Sequence, residues 1–218
     1  MQPYFFPYAG YYRLFASTDV FIVLDCVQFP RRGWVHRNKL SNSNGELQWL
    51  TLPLAKSNRD TTRICDLEFK DNASDLFEEQ KRRFPCLNNI ESIEPQLANI
   101  ITDFSVSPVQ YLVRSLEWVT ERLNIKRPIV LSSSLNIPDK FKAQERILEI
   151  ARQIQATQYI NASGGRDLYD SNVFEASGIS LKFHTDYSGS YECILQRLLS
   201  ENASSVEEEI ISNTSYCA

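Results

Sequence analysis

Three polar groupings in this chain have the residue types for chemistry, and each follows a short apolar run. The first is Asp25 with Gln28 and the stretch from Arg31 to Lys39, where Arg31, Arg32, His36, Arg37 and Lys39 put five basic side chains in nine positions. The second is Ser132-Ser133-Ser134, and the third is Asn161 followed by Gly164 and Gly165. Ligands of open α/β sheets bind beyond the carboxyl ends of the strands, so the three groupings are expected to converge. Asp25 suits the orienting of a substrate amine or a metal, although an Asp that closes a strand is as often a turn former. Arg31, Arg32, Arg37 and Lys39 suit a phosphate or carboxylate, with a solvated hairpin face as the alternative, and Arg37 offers an oxyanion a rigid planar fork. If 34–39 is a strand, Arg37 and Lys39 share one face while His36 and Asn38 share the other. Gly164-Gly165 ahead of a short helix lets backbone N–H groups approach an anion, but it is neither a Walker loop nor a full G-x-G-x-x-G, and a plain turn is the simpler alternative. Lys142 and Arg146 stand four apart, hence on one helix face, and at least one is expected to reach the same cleft. No H-E-x-x-H, G-x-S-x-G or Ser/Cys–His spacing is present, which argues against a hydrolytic triad.

The elements that must position these groups follow from the apolar pattern. Pro3 and Pro7 forbid a helix through the aromatic opening, and a helical register runs from about Gly10 to Ala16. Val20–Leu24, bounded by Asp19 and Asp25, reads as a buried parallel strand. Asn44-Gly45 between the runs 34–40 and 47–52 predicts a hairpin, and the alternation over 63–69 predicts a further strand. Weak helical patterns cover 73–83 and 95–103. A stronger one covers 108–123, with Ser107 as N-cap and Pro108 at the first helical position. The last third alternates strand 128–131, helix 142–154, strand 158–161, a short helix, strand 179–183 and helix 192–202; the acidic tail from Ser204 is expected to fray. Strands alternating with helices imply parallel pairing with right-handed crossovers. The expected fold is therefore a three-layer α/β domain over residues 1–218, with a mainly parallel sheet and an inserted hairpin.

Composition narrows the class. A chain of 218 residues with 43% hydrophobic and 23% charged residues is globular rather than disordered or collagen-like. A net charge of −4 argues against a general nucleic-acid or anionic-membrane binder. The apolar runs fall far short of a membrane span. The five cysteines, without any C-x-x-C, argue against zinc, Fe–S ligation or a disulfide framework. No secretory signal opens the chain, so the cytoplasm is the expected location.

Longer motifs carry a resemblance. Residues 2–12 (Gln-Pro-Tyr-Phe-Phe-Pro-Tyr-Ala-Gly-Tyr-Tyr), 21–29, Arg32-Gly-Trp-Val-His-Arg-Asn38, Trp49–Pro53, Lys142 with Gln144–Ile147, and Asn161–Asp170 closely resemble the WbqC-like proteins over essentially the whole chain. That family is associated with O-antigen and other surface-polysaccharide gene clusters. Its members carry a short apolar strand ahead of the Gln-Pro-Tyr motif, where this chain has Met1. Either such a strand belongs in front of Met1, or the edge of the sheet differs. A second likeness is to the H-x-G-H segment of nucleotidylyltransferases and pantothenate synthetases, which implies a nucleotidylyltransferase-like Rossmannoid fold. Tyr8 and Tyr11 would stand in place of the histidines and Val27-Gln28-Phe29 is similar to a substrate-binding segment, but tyrosine is uncharged at pH 7, which argues against ordinary adenylyl transfer. Together these features imply a transferase or amide-forming ligase that moves an acyl or aminoacyl group to an amino or nucleotide-linked sugar. The alternative is a noncatalytic sugar-nucleotide-binding or scaffold protein. The implied chemistry falls to Asp25, Gln28 and His36. Binding of the small-molecule partner, a sugar nucleotide or activated acyl donor, falls to Gln2, Tyr4, Tyr8, Tyr11, Arg32, Trp34, Arg37, Asn38, Lys142, Arg146, Asn161, Gly164, Gly165 and Tyr169. No metal site or cofactor can be named from the sequence, and the oligomeric state is left open.

Overall fold

The computed structural model describes residues 1–30, 32–58 and 61–217. Its aromatic opening is held by side chains rather than by a ladder. Phe6 has a positive φ of 43°, and the Asn38 side-chain amide donates to the carbonyls of both Phe5 and Phe6, at 3.0 and 2.6 Å. A 3-10 turn over Ala9–Tyr12 leads into α1 (Arg13–Ser17) and β1 (Phe21–Val23). The hairpin is formed by β2 (Arg37–Ser41) and β3 (Leu47–Thr51), antiparallel from Arg37↔Thr51 to Ser41↔Leu47. Its turn needs Gly45, whose φ is +79°, a conformation costly for a residue with a Cβ. Helices α2 (Ala73–Lys81), α3 (Ile90–Ile93), α4 (Pro95–Thr102) and α5 (Pro108–Arg122) follow. Ser107 and Gln110 form the capping box of α5. The chain then alternates through β4 (Ile129–Leu131), α6 (Ala143–Gln153), β5 (Gln158–Asn161), α7 (Ser171–Ala176), β6 (Ser180–His184), α8 (Ile194–Ser200), α9 (Ala203–Ser212) and β7 (Tyr216–Cys217).

The result is a mixed α/β fold whose strands, among the described residues, form three small sheets. β1 pairs in parallel with β4, β2 with β3, and β5 in parallel with β6, whose other edge takes β7 antiparallel. Alternate residues of β1 serve two cores, as strand periodicity requires. Phe21 and Val23 enter the large aromatic core, while Ile22 and Leu24 pack on a smaller one built around Ile147, Ile150 and Phe174. β5 divides in the same way, Ile160 toward the large core and Tyr159 toward the small one. Helix α6 starts beside Cys26, just past the end of β1, where the Arg146 guanidinium meets the Cys26 sulfur at 3.3 Å. It then runs back to enter β5, so β1, β4 and β5 all point the same way.

Three expectations from the sequence need correction. The strand over 63–69 is instead a 3-10 turn, Ile64–Asp66, flanked by single bridges of Gln28 to Arg63 and Leu54 to Phe69. The Asp66 carboxylate folds back on the Arg63 guanidinium at 2.8 and 3.1 Å, which closes the turn. The acidic tail does not fray. Val206 and Ile210 of α9 are fully buried, and Arg197 of α8 bonds both Glu201 and Glu209, which screens the acidic face. The hairpin strand also begins at Arg37 rather than near Trp34, because residues 30–36 turn, with Gly33 N–H donating to the Pro30 carbonyl.

Ile210→Ala therefore removes a fully buried side chain and is expected to cost about 2–5 kcal/mol in urea denaturation. A frayed tail would leave the midpoint unchanged.

Candidate functional site

The carboxyl ends of β1 and β4 meet around Asp25, which is 1% exposed. One carboxylate oxygen accepts from the Ser132 hydroxyl and the Ser133 N–H, both at 2.8 Å, and the other accepts from the Ser133 hydroxyl at 2.5 Å. The Ser132 oxygen in turn accepts the backbone N–H groups of Asp25 and Cys26, and the Asp25 carbonyl accepts from Cys65 N–H. This geometry suits a clamp between strand ends more than contact with substrate. Arg146 reaches the same edge, donating also to the Phe141 carbonyl at 2.9 Å, while Lys142 is exposed at the helix start. Met1, Leu24 and Asn161 line one cavity, which brings Gln2 and the Asn161–Gly165 turn to this end of the strands. Gly165 lets the turn approach closely there, because a Cβ would lie 2.5 Å from the Asn161 amide nitrogen and displace that side chain. The neighbouring Gly164 faces open space and is exposed. The Gln144 side chain, accepting from Asp170 N–H at 2.6 Å, fastens this turn to α6.

The other expected site residues lie elsewhere. Asn38 spends its amide on the Phe5 and Phe6 carbonyls and its side-chain oxygen on Lys39 N–H. The Tyr11 hydroxyl donates to the Gln2 carbonyl at 2.8 Å, and the Tyr4 ring leans on Tyr11. Tyr8 packs between Tyr187 and Tyr191. The Tyr169 hydroxyl meets that of Tyr159 in the small core. Arg37 donates to the carbonyls of Gly33 and Arg32 and lies 4.2 Å over the Trp49 ring. Lys39 covers the same ring, and Trp34, 44% exposed, leans on it. The shared face expected for Arg37 and Lys39 is thus the outer face of the hairpin. Arg32 and Gln28 are exposed, Gln28 bridging to Arg63, and Arg31 lies outside the described residues.

His36 stands apart from all of these. It lines a cleft of about 930 Å³ with Phe29, Lys56, Lys70, Glu79 and Arg83, at the upper end of the volumes that ligand sites occupy. Its Nδ1 is buried and has no hydrogen-bond partner among the described residues. Burial, aided by the nearby Arg37 charge, lowers its pKa to about 4, so the imidazole is neutral. Lys56, Lys70 and Arg83 are exposed cations, and against Glu79 they leave the cleft net positive in a net acidic protein. Sequence reading missed these three. They are spread from 56 to 83 on a loop exit and on either side of α2, and no spacing rule links them. Gln80 does the linking, with its side-chain amide bonding both backbone groups of Thr51 and so tying α2 to the edge of β3. Cys26 at the strand-end cluster and Phe29 in the cleft wall are three residues apart, at most about 11 Å of chain, so cleft and cluster are neighbours.

Two expectations test this account. Asp25→Ala strands the hydroxyls and N–H groups it holds and is expected to lower stability by roughly 3 kcal/mol in chemical denaturation, whereas a solvent-facing catalytic Asp would leave stability unchanged. His184, buried against Ser17, also has its pKa lowered to about 4 by burial and then by Arg13. With both histidines neutral in the folded state, the unfolded chain binds more protons below its own histidine pKa of about 6.5. Stability is therefore full above that pH and lost as pH falls toward about 4. His184→Asn is expected to flatten that slope in pH-dependent thermal melts.

The chain is 27% identical over 192 residues to Rv1507c, an uncharacterized protein of Mycobacterium tuberculosis, a match covering 87% of this chain and 81% of that protein. No solved structure matches it. The model of the WbqC-like protein family matches residues 2–204, nearly the full length and every motif discussed above. The chain therefore belongs to the WbqC-like protein family.

Proposed function

We propose that this protein is a transferase or amide-forming ligase of surface-polysaccharide synthesis, which moves an acyl or aminoacyl group onto a nucleotide-linked amino sugar. The observation that carries the reading is the cationic cleft beside His36. Activated donors and sugar nucleotides bring phosphates, and a net acidic protein can attract them only through local charge. Lys56, Lys70 and Arg83 supply that charge. The buried Nδ1 of His36, unpartnered among the described residues, is a polar atom that a bound polar group would satisfy, since an orphaned buried polar atom is otherwise costly.

His36 also has the chemistry for proton transfer, provided the cleft is filled. Empty, its pKa of about 4 makes it a weak base. A phosphate in the cleft acts in the opposite sense to Arg37 and raises that pKa, toward the range where a base works best at neutral pH. In this reading the substrate's own charge switches the base on. Asp25 and Asn38 hold strand ends and carbonyls in place, and Arg146 with the Asn161–Gly165 turn borders the acceptor side. Residues 1–218 act as one domain. The setting is the cytoplasm, and the five unpaired cysteines support a reducing compartment.

Titration with uridine diphosphate and turnover of a panel of nucleotide-linked amino sugars test this reading. Wild type is expected to bind uridine diphosphate, and Lys70→Ala and Arg83→Ala to weaken it roughly tenfold each. His36→Gln should keep binding and lose turnover by about 10²–10⁴-fold. The His36 ring resonance should titrate near pH 4 in the free protein and higher with the diphosphate bound. Binding without turnover across the panel would favour a noncatalytic sugar-nucleotide carrier, and no binding would remove the cleft from consideration.

A further inference from the structure

Among the described residues three Lys or Arg side chains are buried, those of Arg13, Lys81 and Arg197. Lys81 is held by Glu78 and Glu91, and Arg197 by Glu201 and Glu209, as a buried charge requires. Arg13, at the start of α1, is 2% exposed and has no such carboxylate among the described residues. Its two terminal nitrogens donate to the Thr185 carbonyl at 3.0 Å, and one of them meets the Thr185 hydroxyl at 3.4 Å. Its Nε has no partner among the described residues. Burial lowers its pKa, and the groups near enough to favour its charge are Tyr8, Tyr187, Tyr191 and Cys217, none of them a carboxylate. A guanidinium keeps its proton at any usable pH, so a positive charge stands here without a counter-charge.

A second guanidinium reaches the same place. Arg166 lies on the turn after β5, is exposed, and donates to the His184 carbonyl at 3.4 Å and to the Cys217 sulfur at 2.6 Å. Cys217 therefore neighbours both arginines. It pairs with Phe183 in the β6–β7 ladder, and Thr185, two residues further along, falls on the same face. The Thr185 hydroxyl that Arg13 meets shares a hydrogen bond of 2.8 Å with the Ser215 hydroxyl. Asp167 and Asp186 adjoin Arg166 and Thr185 in the chain, but among the described residues neither pairs with an arginine. Two guanidiniums and two hydroxyls thus gather at the carboxyl end of β6, the end of a parallel pair where ligands bind.

We propose that Arg13 and Arg166 form an oxyanion site at this end of β6, which takes the phosphate or carboxylate of a small molecule. Arg166 presents a planar fork from the solvent side, and the exposed Ser215 adds a hydroxyl donor. Arg13, behind Thr185, adds its charge from an interior where water screens it little. The bound anion does for Arg13 what Glu201 and Glu209 do for Arg197. In a net acidic chain such local cations are what draws an anion in. The site is separate from the His36 cleft, whose lining includes none of these residues, and it stands whether or not that cleft binds a donor.

The test titrates the isotope-labelled 218-residue chain with inorganic phosphate and, separately, with acetate. The readout is the Arg13 Nε–H signal, whose burial slows its exchange with water. A saturable shift of that signal is expected. Arg166→Ala, at an exposed position that leaves the fold intact, should weaken the affinity about tenfold or more, as loss of a charge-assisted contact does. Arg83→Ala, in the His36 cleft, should leave this shift unchanged. A response to phosphate alone assigns the site to phosphates, and a response to acetate admits carboxylates. No shift with either anion would overturn the proposal. So would a shift kept in Arg166→Ala and lost in Arg83→Ala, because the anion would then act from the His36 cleft.

Discussion

A buried carboxylate must be satisfied, and the carboxyl ends of β1 and β4 are arranged around that need. Three donors from Ser132 and Ser133 meet the Asp25 carboxylate. Losing any of them would leave a charged group in a poorly solvating interior. The turn after β4 is therefore fixed against the end of β1. The 63–66 turn is fixed with it through the Cys65 N–H to Asp25 carbonyl bond. Helix α6 can then lay Arg146 across Cys26, and the chain that leaves β1 at Cys26 is aimed toward the His36 cleft.

Asn38 does for the amino-terminal segment what Asp25 does for the strand ends. Prolines and a positive φ at Phe6 keep residues 3–7 out of regular structure, so their carbonyls need side-chain donors. Asn38, on the buried face of β2, supplies two. The hairpin is thereby packed onto the aromatic core, and its outer face keeps Arg37 and Lys39 over Trp49. At the far end, Arg197 binds Glu201 and Glu209 while Tyr187 donates to Glu209. That network holds α9 on the core and leaves β7 free to pair with β6.

Polar residues here divide by whether their bonds are already made. Asp25, Asn38 and Tyr11 have their hydrogen bonds within the fold, as buried polar groups generally do. His36 differs from these in having a buried nitrogen with no partner among the described residues, and it borders the cleft lined by Lys56, Lys70 and Arg83. Tyr12 Oη and Arg13 Nε share that state among the described residues but are buried away from the cleft.

Local pattern was enough to read β1, the Asn44-Gly45 hairpin, the Ser107 N-cap of α5 and the alternation from β4 to β6, because each rests on neighbours within a few residues. The WbqC-like kinship was equally legible, since long ordered motifs survive in the sequence. Where patterns depended on distant partners, reading failed. Residues 63–69 alternate like a strand, but a side-chain ion pair closed them into a turn. The acidic tail looked unstable until Arg197, remote from α9, neutralised it. Polar type alone did not tell Asp25 from His36; only the tertiary structure shows which of them has its bonds filled. The grouping of Lys56, Lys70 and Arg83 was likewise decided in three dimensions, when Gln80 tied α2 to the edge of β3. Sequence determines which groups a chain owns and which local shapes they prefer, but hydrogen-bond satisfaction and burial are properties of the assembled interior.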